Sequence, residues 1–391
     1  MLLFRSRCRL SLPHNNFSTC RTLLFSANYS WASHKMGKSK AKGPLSESFL
    51  QLPAHVSTAQ IVDTHTHLAS TFELYSSKYR KDPKYETVYD FVKGMYAGKR
   101  VEAIIDVWCE APVRKLWKEF ADSALLEEDR KSKWGGLEYW FVMGVHPHEA
   151  RLYNDEIEAD ILEAMKHPRC VGWGEMGLDY HYDNSPRDIQ QDVFSRQLKH
   201  AVSLNKPLTI HTREADADTE RILKDIVPKD HPIHIHCFTD SPDFGDRLLE
   251  YFPNLCIGIT GVVTFATNLD TPAIIRRMDT PSALPLRILL ETDAPYMVPS
   301  NIYESLQDSP NANELKGRRL PLSHSAMIPW TADFVSGIVN EHRGEDENKV
   351  DSDWVLKVAR ENARKVYVYQ IEHGQYTTNP KPDYRRVFRI A

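Results

Sequence analysis

Short apolar runs alternate with stretches of helical spacing along most of this chain. The runs fall at residues 60–65, 103–108, 140–145, 170–175, 207–211, 232–236, 255–259 and 287–292. Each is nearly continuous rather than alternating, as expected for parallel strands covered on both faces. Between the runs, apolar residues recur three and four apart. Ile189, Val193, Phe194, Leu198, Ala201 and Val202 mark one face of a helix over 187–204. Leu116, Phe120 and Leu125 do the same for 112–128, and Ile157, Ile161, Leu162 and Met165 for 155–166. Strand–helix repeats in this number predict an α/β protein built as a single (β/α)8 TIM barrel. An open doubly wound sheet is the alternative. It gathers the ends of the first, fourth, fifth, sixth and eighth strands at one point less readily than a closed barrel does.

Three polar segments read as loops: 70–85 after the first strand, the charge run 127–136 as a solvated turn, and 298–325 as a long insertion after the eighth strand. The insertion leaves the carboxyl end of the barrel, so a lid or a protein-partner surface is one reading and plain disorder the other. A last helix is expected over 352–368, with Ser352 as its N-cap and Trp354, Val355, Val358 and Tyr367 on its apolar side. The chain thus divides into an extension (1–46), a barrel (47–370) and a polar tail (371–391).

Charge separates the extension from the rest. Residues 1–46 hold eight Lys or Arg and no acid, leaving 41 basic against 53 acidic residues beyond, a net of −12. Arg5, Arg7, Arg9 and Arg21 among Leu, Phe and Ser suit a mitochondrial transit peptide. The alternative is an over-extended start, with translation from Met36 and a cytoplasmic or nuclear protein. An acidic body argues against a broad basic nucleic-acid groove and leaves room for a local phosphate site charged by bound cations. Cysteines 8, 20, 109, 170, 237 and 256 form no CxxC pair, which suits reduced thiols in an intracellular protein. No apolar run approaches the roughly 18 residues of a membrane span, so no membrane association is expected.

The chemistry sits at the strand ends. His65 and His67 close the first strand, Glu175 the fourth, His211 the fifth, His236 the sixth and Asp293 the eighth. Ligand-type residues at the carboxyl ends of barrel strands converge on one metal centre. His65 and His67, two apart on a strand, share a face. Asp63, in phase with them, is placed to orient one ring. Glu175, flanked by glycines, is suited to bridge two divalent cations, with His211 and His236 on the second. Asp293 ligates the first and takes a proton from the attacking, metal-activated water. Mixed imidazole and carboxylate donors suit Mg, Mn or Zn.

Other residues carry weaker signals. His146 reads as a substrate contact or a structural hydrogen-bonding group, and Arg213 as a partner of a substrate phosphate or of an acidic neighbour. His234, one step deeper than His236, reads as barrel-interior packing. Asp106 reads as a buried paired carboxylate and Cys237 as a buried bystander. His324, His342 and His373 read as surface residues.

The segments DTHTH (63–67), GVHPH (144–148), GEMGLDYH (174–181), IHTRE (210–214), HIHCF (234–238) and ETDAPY (291–296), in this order, resemble the TatD family of metal-dependent deoxyribonucleases among the amidohydrolase-like barrels. Residues 361–367 resemble that family's closing helix. The resemblance implies a TIM barrel, two divalent cations and hydrolysis of DNA phosphodiester bonds in a 3′–5′ exonuclease-like manner. It implies that His65, His67, Glu175 and Asp293 hold one metal, and Glu175, His211 and His236 the other. The absence of a lysine at the end of the fourth strand argues against relatives that bridge metals through a carboxylated lysine. Two segments depart from the family pattern. Thr239-Asp240 follows HCF where many relatives have Ser-Gly, and an Arg-Asn-Glu-Pro-type segment after ETDAPY is replaced by the insertion and by 323–330. A small-molecule amidohydrolase or phosphoesterase, and a scaffold protein that kept the barrel, are the alternatives to a nuclease.

Overall fold

Eight strands, all parallel, lie in one sheet in the order of the sequence. They are β1 (Ile61–Thr66), β2 (Val101–Trp108), β3 (Glu138–Met143), β4 (Cys170–Asp179), β5 (Leu208–Arg213), β6 (Ile233–Ile235), β7 (Leu255–Ile259) and β8 (Ile288–Leu290). The computed structural model describes residues 45–278, 286–309, 311–341, 343 and 349–368. Both targeting readings of the N-terminal extension, His342, His373 and the tail lie outside the described residues. Among the described residues no helix is long and apolar enough to cross a membrane.

The seam between β1 and β8 closes at the barrel mouth. Thr64 donates to the Leu290 carbonyl at 3.1 Å, Asp293 N–H to the His65 carbonyl at 2.9 Å, and His67 N–H to the Ala294 carbonyl at 2.9 Å. Asp63 locks the same seam by accepting from Thr292 twice, from N at 3.0 Å and Oγ1 at 2.7 Å.

Apolar side chains split into two clusters, as a barrel requires. Val62, Ile105, Val107, Val142, Val171 and Leu289 pack inside, where Ala363 of the last helix and Val366 and Tyr367 of the π-helical turn Arg364–Val368 after it close the cluster. Ile61, Ile104, Phe141 and Trp173 pack outward against the helices. Burying this much apolar surface, at roughly 25 cal/mol per Å², is the main source of stability.

Several expectations are corrected. Residues 68–78 are a helix rather than a loop, with Leu68 and Tyr75 fully buried. Its apolar stripe Leu68, Phe72, Tyr75 and Tyr79 is diluted in sequence by Ser and Thr. The charge run holds a short helix, Glu127–Lys133, with a Glu127–Lys131 ion pair one turn apart. Trp134, which follows it, is buried and stacks on Tyr139 at 4.7 Å. The insertion is a strap with short helices at Ile302–Ser305 and Ala312–Leu315. Its end is buried, and His324, expected at the surface, is fully enclosed with Nε2 3.0 Å from the Leu50 carbonyl. The N-cap of the last helix (Ser352–Ala363) is Asp351, which accepts from Trp354 N–H at 2.9 Å.

Asp106 is buried as expected, but its partners are not cations. It accepts from Leu68 N–H and from the Tyr139 hydroxyl, each at 2.8 Å, behind β1. Burial pushes its carboxyl up to about 7. The folded state therefore binds a proton that the unfolded chain releases near pH 4. That contribution to stability is complete below about pH 4 and is lost as pH rises through about 7. We expect Asp106→Asn to flatten the fall of the urea midpoint between about pH 5 and 8. Parallel curves for variant and wild type would overturn this assignment.

Candidate metal centre

One extra residue on each of two strands aims the central groups. On β1, Asp63 pairs with Ile104 and Thr66 with Asp106, a step of three residues against two. On β4, Trp173 pairs with Leu208 and Met176 with Ile210, the same slip. An inserted residue reverses the alternation of side chains beyond it. His65 and Glu175 thereby turn into the mouth, while Asp63 stays with Thr292 and does not orient a ring as expected. Gly174 (φ 152°) and Gly177 (φ 153°) permit the β4 slip, since a Cβ at either would collide with backbone carbonyls of β5. His67 lies beyond β1, at the cap of the Leu68–Lys78 helix.

The groups converge on Glu175, 2% exposed. Its Oε2 lies 3.4 Å from His65 Nε2 and 3.8 Å from His67 Nε2. Asp293 Oδ1 lies 3.7 and 3.4 Å from the same two nitrogens. The other oxygen, Oε1, lies 2.8 Å from His211 Nδ1, 3.1 Å from His236 Nε2 and 3.4 Å from His146 Nε2. All of the expected ligands are thus assembled, and they divide between the two oxygens of one carboxylate. His146 belongs to this set rather than lying out where substrate alone would meet it.

Burial opposes ionisation of Glu175, but the imidazoles of His236 and His146 hold its carboxyl well below the usual range. Burial likewise disfavours a charged His236, yet Glu175 and Glu291 raise it well above normal. His67, also penalised by burial, is lifted to about 9 by Asp293. Burial wins at His65 and His146, which fall to about 4. Protons on some rings therefore balance the carboxylates while other rings stay neutral. The buried carboxylates at the centre call for positive charge beside them. Divalent cations fit the same places, because ring nitrogens and carboxylate oxygens of three residues at a time lie within 4.8 Å of one another.

Arg213 stands outside the cluster, its guanidinium 5.0 Å from the Tyr182 ring centre. His234 is fully buried below His236, as expected. Cys237 is half-buried, with Sγ 3.4 Å from the Thr260 hydroxyl. Burial pushes its thiol up to about 12, so it remains a neutral bystander. Asp240, the departure after HCF, is turned to the Glu214 N–H at 3.4 Å, and burial raises its carboxyl to about 7. Two residues escaped the sequence reading. Asp179 receives His148 Nε2 at 2.8 Å and His211 Nε2 at 3.3 Å. Glu291 lies 3.6 Å from His236 Nδ1. Both stand at strand ends beside residues that were noticed, which was the available signal.

Comparison with known proteins places this geometry. The family described as TatD related DNase matches residues 62–368. The human 3'-5' RNA nuclease TATDN2 is 36% identical over 282 residues, which cover 70% of this chain but only 32% of that protein. The chain therefore corresponds to about a third of that relative. The uncharacterized metal-dependent hydrolase YabD of Bacillus subtilis is 30% identical, over 61% of this chain and 82% of YabD. The 3'-5' ssDNA/RNA exonuclease TatD of a Rahnella species is 32% identical, over 58% and 76%. An uncharacterized amidohydrolase from Saccharomyces cerevisiae shares the fold with a TM-score of 0.61 at 19% identity, over 79% of this chain and 100% of that one. The TatD homolog YJJV of Escherichia coli does so with 0.56 at 21%, over 79% and 98%. This barrel, with its ligand-type residues gathered at the strand ends, belongs to the TatD related DNase family of hydrolases.

Proposed function

We propose that the chain is a two-metal-dependent nuclease that hydrolyses phosphodiester bonds, trimming single-stranded DNA or RNA from the 3′ end. The division of donors between the two oxygens of Glu175 carries this reading. His65, His67, Asp293 and Oε2 would hold one cation, and His146, His211, His236 and Oε1 the other. Mg, Mn and Zn all suit such donors. Bound divalent cations supply Lewis-acid charge against phosphate oxygens and acidify water. Asp293, with 13% of its side chain exposed, is the ligand carboxylate open to solvent and accepts the proton of the attacking water at Oδ. Arg213, its guanidinium 5.0 Å from the Tyr182 ring centre, would neutralise a phosphate while the ring supports a base. The relatives' names supply the 3′–5′ polarity and the single-stranded substrate.

The decisive experiment incubates the full chain with 5′-labelled single strands of DNA and RNA, with Mn²⁺, Mg²⁺ or EDTA. A ladder shortening from the 3′ end, abolished by EDTA and restored by Mn²⁺, is expected. Asp293→Asn should lower kcat by about 10²- to 10⁴-fold. Metal-loaded protein that leaves both strands intact would move the substrate to a small phosphoester or amide.

His67 and His236 must give up protons before their rings ligate. Affinity for Mn²⁺ should therefore climb as pH rises towards the value of about 9 set at His67. Calorimetry in buffers of different ionisation enthalpy should record proton release on Mn²⁺ uptake, and uptake without release would contradict the assignment. With an acidic body, few side chains are available to contact phosphates. Arg213→Ala should lower the slope of log affinity against log salt by about 1. An unchanged slope would free Arg213 from that role.

A further inference from the structure

Below the mouth, a line of buried polar groups runs through the barrel interior. Tyr367, on the turn that follows the last helix, reaches into the barrel, where its hydroxyl lies 2.6 Å from His234 Nδ1 and 3.0 Å from Thr209 Oγ1. The other ring nitrogen of His234, Nε2, is 2.8 Å from Glu291 Oε2. Glu291 Oε1 accepts from Cys237 N–H at 2.5 Å and faces His236 Nδ1 at 3.6 Å. His236 Nε2, at the far side of its ring, is 3.1 Å from Glu175. His234 and Glu291 have no exposed surface at all, and Tyr367 has 2%. Gly258 on β7 makes room for them, since a methyl group there would overlap both the Glu291 carboxylate and the His234 ring.

A packing role alone does not account for these groups. The 2.8 Å approach of His234 to Glu291 is out of line for a hydrogen bond. His234 Nε2, Glu291 Oε2 and His236 Nδ1 are all buried without an aligned hydrogen-bond partner. Buried polar groups without aligned partners call for an explanation beyond packing, and a neighbouring ligand-type ring supplies one. A ligating imidazole needs the proton on its second nitrogen held, so that the lone pair of the first points at the cation.

We propose that Glu291 is a positioning residue for His236, held in turn by His234 and by the Tyr367 hydroxyl of the terminal turn. The carboxylate, 3.6 Å from Nδ1, favours the tautomer with the proton on that side, so that Nε2 on the Glu175 side would be the nitrogen offered to a cation. His234 packs its Nε2 side against Glu291 without an aligned hydrogen bond and accepts the Tyr367 O–H at Nδ1, and Tyr367 accepts from Thr209. The C-terminal end of the described chain thereby sets the orientation of one ligand at the opposite end of the barrel. This rests on reading the cluster as a centre for two cations.

Mn²⁺ titration of the metal-stripped full chain, followed by calorimetry and by electron paramagnetic resonance, tests it. Wild type should show two binding events. Glu291→Gln preserves shape and should weaken one event by about 10- to 100-fold, leaving the other at its wild-type affinity. Tyr367→Phe keeps the ring and should weaken the same event. Gly258→Ala, which touches no ligand, should act in the same direction. If Glu291→Gln fails to fold, Tyr367→Phe decides. Two unchanged events in the variants overturn the proposal, as does an equal loss of both, which a general structural role would cause. A wild type that takes up no Mn²⁺ would instead remove the metal-centre reading, and this inference with it.

Discussion

Closure of the barrel at the β1–β8 seam is the constraint on which the rest depends. β8 is only three residues long and forms its ladder with β7. The seam is made instead by groups just beyond it: Thr292 on Asp63, Asp293 N–H on the His65 carbonyl, His67 N–H on the Ala294 carbonyl. These bonds join the backbone of three candidate ligands directly. Folding the barrel shut and setting the distance between His65, His67 and Asp293 are therefore one event. Asp63 does this from behind the mouth, where it is fully buried. Its carboxyl, pushed up to about 7 by burial against four opposing hydrogen bonds, reflects the cost of placing an acid there.

The second constraint is electrical. Glu175, Asp293 and Glu291 are crowded into a mouth of low dielectric, where an unbalanced carboxylate is expensive. Imidazole is the side chain able to answer this reversibly near neutral pH. Its proton balances a carboxylate when no cation is bound, and its lone pair ligates when one is. A lysine in the same place would compete with a cation permanently. The split between raised His67 and His236 and lowered His65 and His146 follows from which rings lie against carboxylates and which burial dominates. The net acidity of the rest of the chain has the same consequence on a larger scale. Positive charge for an anionic ligand is therefore concentrated at the mouth rather than spread over the surface.

The barrel was legible because parallel strands covered on both faces must be apolar throughout, which leaves short runs at regular intervals. The candidate ligands were legible as a converging set because only strand ends reach the mouth, so His211, His236 and Asp293 stood where the pattern stopped. The slips on β1 and β4 were not legible. Period-two reasoning put Asp63 beside His65, and a single inserted residue moved it to the other side. Only the glycines around Glu175 hinted that β4 bends. Glu291 was hidden by its neighbour: of two acids two residues apart, the one nearer solvent drew the chemistry and the deeper one went unread. His324 reads as a surface residue until the strap after β8 is seen to fold back under Leu50, a contact of 274 positions that no local pattern encodes. The helix at 68–78 was lost because four Ser and Thr residues interrupt its apolar stripe, although they face outward or bond locally, as Thr71 does to the His67 carbonyl.

In barrels of this kind the carboxyl end carries function and the amino end stability. Here the two are not separable. The last helix is pinned to the amino end by Arg360, paired twice with Glu102, and by Asn362, which donates to the Leu286 and Ile288 carbonyls at the entrance to β8. Those contacts fix where Tyr367 enters the interior. They also fix the start of β8, and hence the position of Glu291 and Asp293 a few residues on. The helix thus connects to the mouth along the backbone of β8 and through buried polar side chains, and the two lines meet at Glu291. Both arrive at carboxylates of the candidate metal centre.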